Sequence, residues 1–251
     1  GNEHYLFMPA GSATNIAAGT YYFALASQGM NPVPPGIGTN SSAVTLTSFG
    51  PMSISNLGTV DFTGATDIIH TNSNEGGEIK AFQFAVPPGV LAMEVRLENR
   101  TGNPMMTLRP DSFMPRGYDG YGQDGGVSSI WSGAELINIA NPVATNYSLT
   151  VHASYASGYP DASYRIRVHA LVASGMSFND GTFSVSGHVP GVWRYFNITV
   201  PPDTFGWDLR LTNVTSGDPR MVVRRERAPD SLGSHDANGY GWGASTATDW
   251  P

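Results

Sequence analysis

The amino-acid sequence predicts an all-β fold made of antiparallel β-sandwich units in tandem. Charged residues make up 13% of the 251 residues, which is about half the usual share. The 30 Gly and 18 Pro residues place turn signals at short intervals along the chain. Between these turns apolar and polar residues alternate, which is typical of strands with one buried and one solvated face.

Composition also limits the partners that the chain can have. The net charge of −7 comes from 13 Lys and Arg against 20 Asp and Glu, which argues against nucleic acid and anionic membranes as partners. No segment has the roughly 18–20 apolar residues of a membrane helix, so we predict no membrane insertion. The absence of cysteine excludes disulfides and thiolate metal sites. No signal peptide opens the chain. Because the sequence starts at Gly1 and stops at Trp250-Pro251 in mid-pattern, we expect it to be a fragment of a longer protein.

Alternation assigns faces to the clearest strands. One buried face is predicted along the segment from Phe82 to Val86, and another along the segment from Met93 to Leu97. The opposite side of the second segment holds Glu94, Arg96 and Glu98, for which we predict a ladder of cross-strand charges. The same pattern places His152 and His169 on solvent-facing positions of later strands. In chain order, predicted strands lie in segments beginning at Ala17, Ala43, Phe82, Met93, Pro142, Ala162, Phe196, Trp207 and Arg220.

Two long stretches of the sequence repeat. FQFAVPPGVLAMEVRLENRTGNPMMTLR begins at Phe82, and FNITVPPDTFGWDLRLTNVTSGDPRMVVR begins at Phe196. They share Val-Pro-Pro, Arg-Leu and Asn-x-Thr at an offset of 114 residues, then Pro and Arg at an offset of 115. Two further segments also match: AAGTYYFALASQG with PVATNYSLTVHAS, and AVTLTSFGPM with ASYRIRVHAL. Agreement of this length predicts repeated structural units.

The phase of the repeat predicts three pieces. Residues 1–58 correspond to the C-terminal part of a first β-sandwich unit. Residues 59–174 form a complete unit, and residues 175–251 form the N-terminal part of a third.

The order of these segments resembles the bacterial pre-peptidase C-terminal domain, a small jelly-roll sandwich appended to secreted proteases and other exoenzymes. SGDPRMVVR, beginning at Ser216, resembles the family's SGDADLYVR-like segment. Gly19-Thr20-Tyr21-Tyr22 resembles the family's Gly-Thr-Tyr-Tyr strand. The resemblance implies a jelly-roll-like fold, an extracellular or cell-surface location and an accessory role beside an enzyme or adhesin.

The resemblance also raises the question of calcium. The aspartate that the family associates with calcium is replaced here by Met105 in one copy and Arg220 in the other, while Asn103 and Asp218 keep the preceding position. Calcium prefers six to eight oxygen ligands, so a site that loses a carboxylate and gains a guanidinium is weakened. The alternative for Gly217-Asp218-Pro219 is a turn that enters a strand, with Met221 and Val223 inside and Arg220 and Arg224 outside.

The glycine-rich loop YDGYGQDGGVSSIW, which begins at Tyr118, offers two further oxygen ligands. Asp119 and Asp124 could wrap a hard cation together with carbonyl oxygens. The loop lacks the regular aspartate spacing of an EF-hand, so the alternative is a long loop without a metal. Asn103, Asp119, Asp124 and Asp218 are therefore the calcium candidates, and no other cofactor is predicted.

Aromatic residues concentrate in the same predicted loops. Tyrosine and tryptophan there could stack on sugar rings while their polar atoms stay wet, or they could cover the open end of the sandwich. The candidate ligand-binding residues are Tyr118, Tyr121, Trp131, Tyr240 and Trp242.

We predict that the chain is not an enzyme. Its six histidines form no HExxH motif, and the sequence has no GxSxG nucleophile elbow. The leading hypothesis is a non-catalytic spacer or binding module of a secreted or cell-surface bacterial protein, with a polysaccharide or matrix protein as ligand. The alternative is a structural repeat of a surface layer, stalk or filament. Its units would assemble head-to-tail by strand complementation with neighbouring repeats or copies of the chain.

Overall fold

The computed structural model describes residues 7–9, 13–25, 41–115, 131–134 (backbone alone), 136–153 and 160–230. Within these ranges there are eleven strands and no helix, and the predicted all-β sandwich fold is confirmed. The strands are β1 (Ile54–Thr59), β2 (Ile68–Asn74), β3 (Ile79–Ala85), β4 (Ala92–Thr101), β5 (Pro104–Arg109), β6 (Trp131–Ala134), β7 (Leu136–Ala140), β8 (Asn146–Ala153), β9 (Ala162–Leu171), β10 (Ala173–Gly175) and β11 (Tyr195–Asn197).

Nine of these strands form two sheets. The five-stranded sheet has the order β1-β3-β8-β5-β6, and the four-stranded sheet has the order β2-β9-β4-β7. Neighbours are antiparallel except for β1, which runs parallel to β3. Strands adjacent in sequence mostly lie in different sheets, as in a sandwich whose connections cross from one layer to the other. β1 spans the boundary at residue 58 that the repeat predicts.

The core lies between the two sheets, where the alternating sequence predicts it. Phe82 and Phe84 from β3 and Met93 and Val95 from β4 are each at most 1% exposed. Burying such side chains contributes about 1.5–3 kcal/mol each. Other buried members of this cluster are Val60, Val86, Val90, Leu97, Met106, Leu108, Ile137, Ile139, Tyr147, Leu149, Val151, Tyr164, Ile166, Val168 and Ala170.

A buried amide ties the two sheets together at one end of the sandwich. The Asn74 side chain donates hydrogen bonds to the carbonyl oxygens of Glu78 (2.8 Å) and Val151 (2.9 Å). Its Oδ1 accepts a hydrogen bond of 2.7 Å from the Tyr164 hydroxyl. Because both the amide and the phenol are partnered, these polar groups can be buried without a large desolvation penalty.

Three of the predicted strands outside the sandwich do not form in the described residues, whereas the segment beginning at Phe196 contributes to β11. Segments 17–25, 43–50 and 205–212 carry no strand, and their apolar side chains are open to solvent, with Tyr22 92% and Phe49 89% exposed. A strand is stabilised by cross-strand pairs and by a buried face. In the part of the chain that the structure describes, these segments have no paired strand and no facing sheet that would stabilise them.

One predicted orientation in segment 220–224 is wrong. Val223, predicted to face inward, is 39% exposed, whereas the Arg224 side chain, predicted to face outward, is only 10% exposed. Arg224 Nη1 lies 3.2 Å from Asp230 Oδ2. In the described residues this segment belongs to no sheet that would impose strict alternation.

Strand β10 begins directly after the sandwich, and β11 follows later in the chain at Tyr195. A single residue, Val172, separates β9 from β10. The β10–β11 pair is parallel, and Tyr195 of β11 packs with Ala92 and Ala228 in a second small buried cluster. The segment that follows the sandwich is therefore in contact with the sandwich itself.

Candidate functional site

The outer face of the four-stranded sheet carries a row of paired charges, which we call the charged face. The carboxylates of this face lie within ion-pair distance of guanidinium or imidazole groups on the same or a neighbouring strand. The charged face consists of Asp67, Glu94, Arg96, Glu98, Arg165, Arg167 and His169.

Asp67 holds one end of the charged face. Its Oδ2 accepts a hydrogen bond of 2.5 Å from Arg167 Nε, and its Oδ1 lies 2.6 Å from His169 Nδ1. Partial burial would raise the pKa of Asp67, but the hydrogen bonds from Arg167 and His169 outweigh that effect and hold the pKa below its ordinary value. Asp67 is therefore an anion at neutral pH.

Glu94 and Glu98 lie along β4 between arginines. Glu98 is directly opposite Arg165 of β9 and receives hydrogen bonds of 3.0 and 2.5 Å from its guanidinium. Glu94 is 3% exposed and bonded to Arg96 two residues along. The hydrogen bond to Glu94 raises the pKa of Arg96. The cross-strand charge ladder that the sequence predicts is present.

The carboxylates of the charged face are each paired with a cationic side chain. Glu94 is bonded to Arg96, Glu98 to Arg165 and Asp67 to Arg167. Pairing also keeps like charges, such as the directly opposed Arg96 and Arg167, separated by intervening carboxylates.

A second cluster joins the sandwich to the segment after β9, and we call it the joint. Asn141, in the turn after β7, donates a hydrogen bond of 2.7 Å through Nδ2 to Ala228 O, and its Oδ1 accepts one of 3.0 Å from Ala228 N. Asn138 on β7 donates a hydrogen bond of 2.9 Å to Gly191 O. The joint therefore combines amide–backbone hydrogen bonds with the apolar contacts of Tyr195.

Sequence reasoning missed the joint. Asn141 has φ 51°, a left-handed conformation that asparagine tolerates better than most residues. The motif Asn141-Pro142 predicts a turn after a strand, and it is the one sequence signal at this position. It could not have shown that the side chain binds a backbone 87 residues away.

Two of the four calcium candidates lie in the described residues. Asn103 and Asp218 are both exposed, and Asp218 Oδ2 lies 3.4 Å from the Arg220 guanidinium, so the substituted arginine contacts the carboxylate that would ligate the metal. Within the described part of the chain, no group of three acidic, histidine or cysteine side chains is arranged to hold a metal. Asp119 and Asp124 lie outside the described residues.

The aromatic candidates fall almost wholly outside the described residues. Tyr118, Tyr121, Tyr240 and Trp242 are not described, and only the backbone of Trp131 is placed. That backbone lies in β6, opposite Leu108 of β5. Their role as a ligand-binding group stays a prediction.

The prediction that His152 faces solvent is wrong. His152 is 2% exposed, and burial lowers its pKa to about 4. Its neighbours on the same outer face of β8, Ser148 and Thr150, are likewise buried. Ser148 Oγ donates a hydrogen bond of 2.7 Å to Asp111 O, so the chain after β5 covers part of this face. His169, by contrast, lies partly exposed on the charged face.

No protein-family model and no curated protein sequence matches the chain. Among solved structures, the chain is similar to PliG of Aeromonas hydrophila, a periplasmic inhibitor of g-type lysozyme. That similarity has 16% identity over 47% of this chain and 98% of PliG, with a TM-score of 0.36. The chain is also similar to PliG of Salmonella Typhimurium, with 15% identity over 46% and 97% of the two chains and a TM-score of 0.29.

A third similar structure comes from the family that the sequence resembles. It is the pre-peptidase C-terminal domain of a collagenase from Bacillus anthracis, with 19% identity over 48% of this chain and 99% of that domain and a TM-score of 0.28. Inhibition of lysozyme is a property of the PliG proteins, and the collagenase is the protein from which the third structure comes.

In the described residues, no helix is both long and apolar enough to cross a bilayer.

Proposed function

We propose that the chain is a non-catalytic accessory module of a larger secreted or cell-surface bacterial protein. It would act as a spacer, or as a binding domain for a polymeric ligand such as a polysaccharide or a matrix protein. The observation that carries the proposal is the joint, in which the sandwich binds Gly191, Tyr195 and Ala228 of the segment that follows it.

The joint favours a spacer because it fixes how one unit follows another. Only Val172 separates β9 from β10, and Asn141 then holds Ala228 by two hydrogen bonds. A pair of domains that moved independently would be joined by a longer polar linker with few contacts across it. Contacts of this kind in every unit would give a chain of units with a regular arrangement.

Hydrogen exchange tests the joint. Replacing Asn141 with glycine removes the side chain but keeps the left-handed backbone, so we expect the Ala228 amide to exchange about tenfold faster as its hydrogen bond is lost. Asn99→Gly is the matched control, because Asn99 is an exposed asparagine with nearly the same backbone angle, φ 50°. Equal exchange at Ala228 in both variants would contradict the proposal.

A binding role would rest on the aromatic residues of the predicted loops. We expect binding of the chain to a polysaccharide array to be lost on Trp131→Ala. Trp207→Ala is the control, because Trp207 is also partly exposed but lies outside those loops. Loss of binding in both variants, or in neither, would remove the support for a site built on these aromatics.

A second candidate function is a structural repeat that assembles head-to-tail. One observation favours it: β10 and β11 pair in the same sense as β1 and β3, which is what the start of another unit would do. Such a unit, begun in this chain, would need strands from elsewhere to complete it.

A further inference from the structure

Phe82 and Phe196, which match in the sequence repeat, each lie in the second strand of a parallel pair. In the sandwich, Ile54-Ser55-Asn56 of β1 lie opposite Ala81-Phe82-Gln83 of β3. After the sandwich, Ala173-Ser174-Gly175 of β10 lie opposite Tyr195-Phe196-Asn197 of β11. Phe82 and Phe196 are also the first residues of the two repeated sequence stretches. The segment after β9 therefore begins as the sandwich begins.

Backbone conformation also supports the match between the two repeated stretches at positions further along the chain. Asn99 and its repeat partner Asn213 both have positive φ, at 50° and 56°. Gly102 and its partner Gly217 do as well, at 65° and 76°. Non-glycine residues adopt such angles in only a few per cent of cases, so their recurrence at matched positions indicates a common local structure.

Strands β3 and β11 are each the second strand of a parallel pair, but they differ at the edge that faces away from the first strand. Strand β3 is paired on that side with β8 along seven residues, from Ile79 to Ala85. Strand β11, in the described part of the chain, is paired only with β10. Phe196 would face the core of the new unit and is 40% exposed, although it contacts the Phe183 ring at 4.8 Å. The edge of β11 is therefore in the position of an acceptor for a β8-like strand.

A β8-like sequence is present near the start of the same chain. Gly19–Leu25 belongs to the segment that matches the β8 region, with Tyr22 at the position of Tyr147. This segment carries no strand, and Tyr22, Phe23 and Leu25 are 92%, 74% and 61% exposed. An exposed apolar segment that is not part of a sheet gains hydrogen bonds and buried area when it joins a strand edge.

We propose that the edge of β11 accepts residues Gly19–Leu25 of a second copy of this chain as an antiparallel strand. This inference rests on the second candidate function above and names its partner and its site. Transferring the register of β3 and β8 to the repeat places Asn197 opposite Phe23 and Ile198 opposite Tyr22. The contact is heterologous, so successive copies can add in one direction without closing a ring.

The chain is suited to a cross-linking test because it contains no cysteine. Two single variants, Asn197→Cys and Phe23→Cys, are mixed and oxidised. Directly opposed residues of antiparallel strands lie about 4.5–5.5 Å apart between Cα atoms, within the range for a disulfide. We expect a covalent dimer on a non-reducing gel, and we expect a peptide with the sequence AAGTYYFAL to reduce its yield several-fold.

The matched control shifts the cysteine by one residue. Tyr22→Cys mixed with Asn197→Cys places the two thiols on opposite faces of the sheet, so its dimer yield should be several-fold lower. Equal yields from the two mixtures, or no dimer from either at high protein concentration, would overturn the proposal. Far-UV circular dichroism of each variant verifies that the sandwich is folded.

The outcome of the cross-linking test is independent of the spacer proposal. Failure of the cross-link would leave the joint between Asn141 and Ala228 untouched, since that contact lies within one chain. Failure of the Asn141→Gly test would leave the acceptor edge of β11 untouched.

Discussion

At the scale of single residues, alternation predicts the face of a side chain better than its exposure. His152 lies on the outer face of β8, as the period-two pattern predicts, but that face is covered and the ring is 2% exposed. A strand pattern contains no information about what crosses the sheet from elsewhere in the chain. The same limit explains Glu94, which faces outward and is nevertheless 3% exposed.

Burial of His152 predicts a loss of stability in mild acid. The pKa of about 4 in the folded protein lies below the value near 6.5 of an unfolded chain, so the unfolded state binds the proton more readily. The free energy of unfolding should therefore be highest above about pH 6.5 and fall as the pH drops towards 4. Between about pH 7 and 5 the expected loss from this residue is at most about 2 kcal/mol.

Urea unfolding at several pH values measures this loss. His152→Gln keeps a polar side chain of similar size but does not titrate, so its stability should depend less on pH over the same interval. Asp67 stays ionised there because its pKa lies below the ordinary value. An unchanged pH dependence in the variant would show that His152 is not the source of the effect.

At the scale of elements, the strands with the strongest alternation form as predicted. Strands β3, β4, β8 and β9 bury the predicted faces and pair in antiparallel ladders. The parallel pairing of β1 with β3 could not be predicted, because the polar sequence of Ile54–Thr59 has no strong alternation. Register across distant strands depends on the complete sandwich and not on any one segment.

The turn between β4 and β5 offers a test of backbone geometry. Gly102 has φ 65°, and a Cβ there would clash with the Asp161 carbonyl oxygen. Gly89 has φ 91° but open space around it. We expect Gly89→Ala to cost about 1 kcal/mol through the backbone alone, and Gly102→Ala to cost a further ~1–3 kcal/mol through the clash.

Chemical denaturation of the two variants gives both values. Equal destabilisation would mean that the Asp161 backbone moves away from Cβ without cost. The comparison isolates the contact, because the substitution and the sign of φ are the same at both positions.

At the scale of the whole molecule, the residues of the sandwich are packed, whereas the segment after β9 leaves more of its apolar side chains exposed. Leu108 of β5 is 0% exposed, whereas Val223, its counterpart in the repeat, is 39% exposed. We expect Leu108→Ala to lower the free energy of unfolding by about 2–5 kcal/mol and Val223→Ala to change it by no more than about 0.5 kcal/mol. Urea titration of dilute protein measures both, and a large effect at Val223 would mean that its segment is packed in solution.

The sequence could predict the sandwich but not the joint or the charged face as a whole. The core follows from local alternation, which each strand displays by itself. The joint depends on Asn141 meeting a backbone group 87 residues away, and the charged face depends on β2 bringing Asp67 beside β9. Both are products of long-range pairing that single segments do not encode.

The single residue between β9 and β10 has a mechanical consequence. A tether of one residue leaves almost no slack, so in the proposed spacer tension would pass from β9 of the sandwich directly into β10. Bending at that point would have to break the Asn141–Ala228 hydrogen bonds. The stiffness of the proposed spacer would therefore depend on the contacts of the joint.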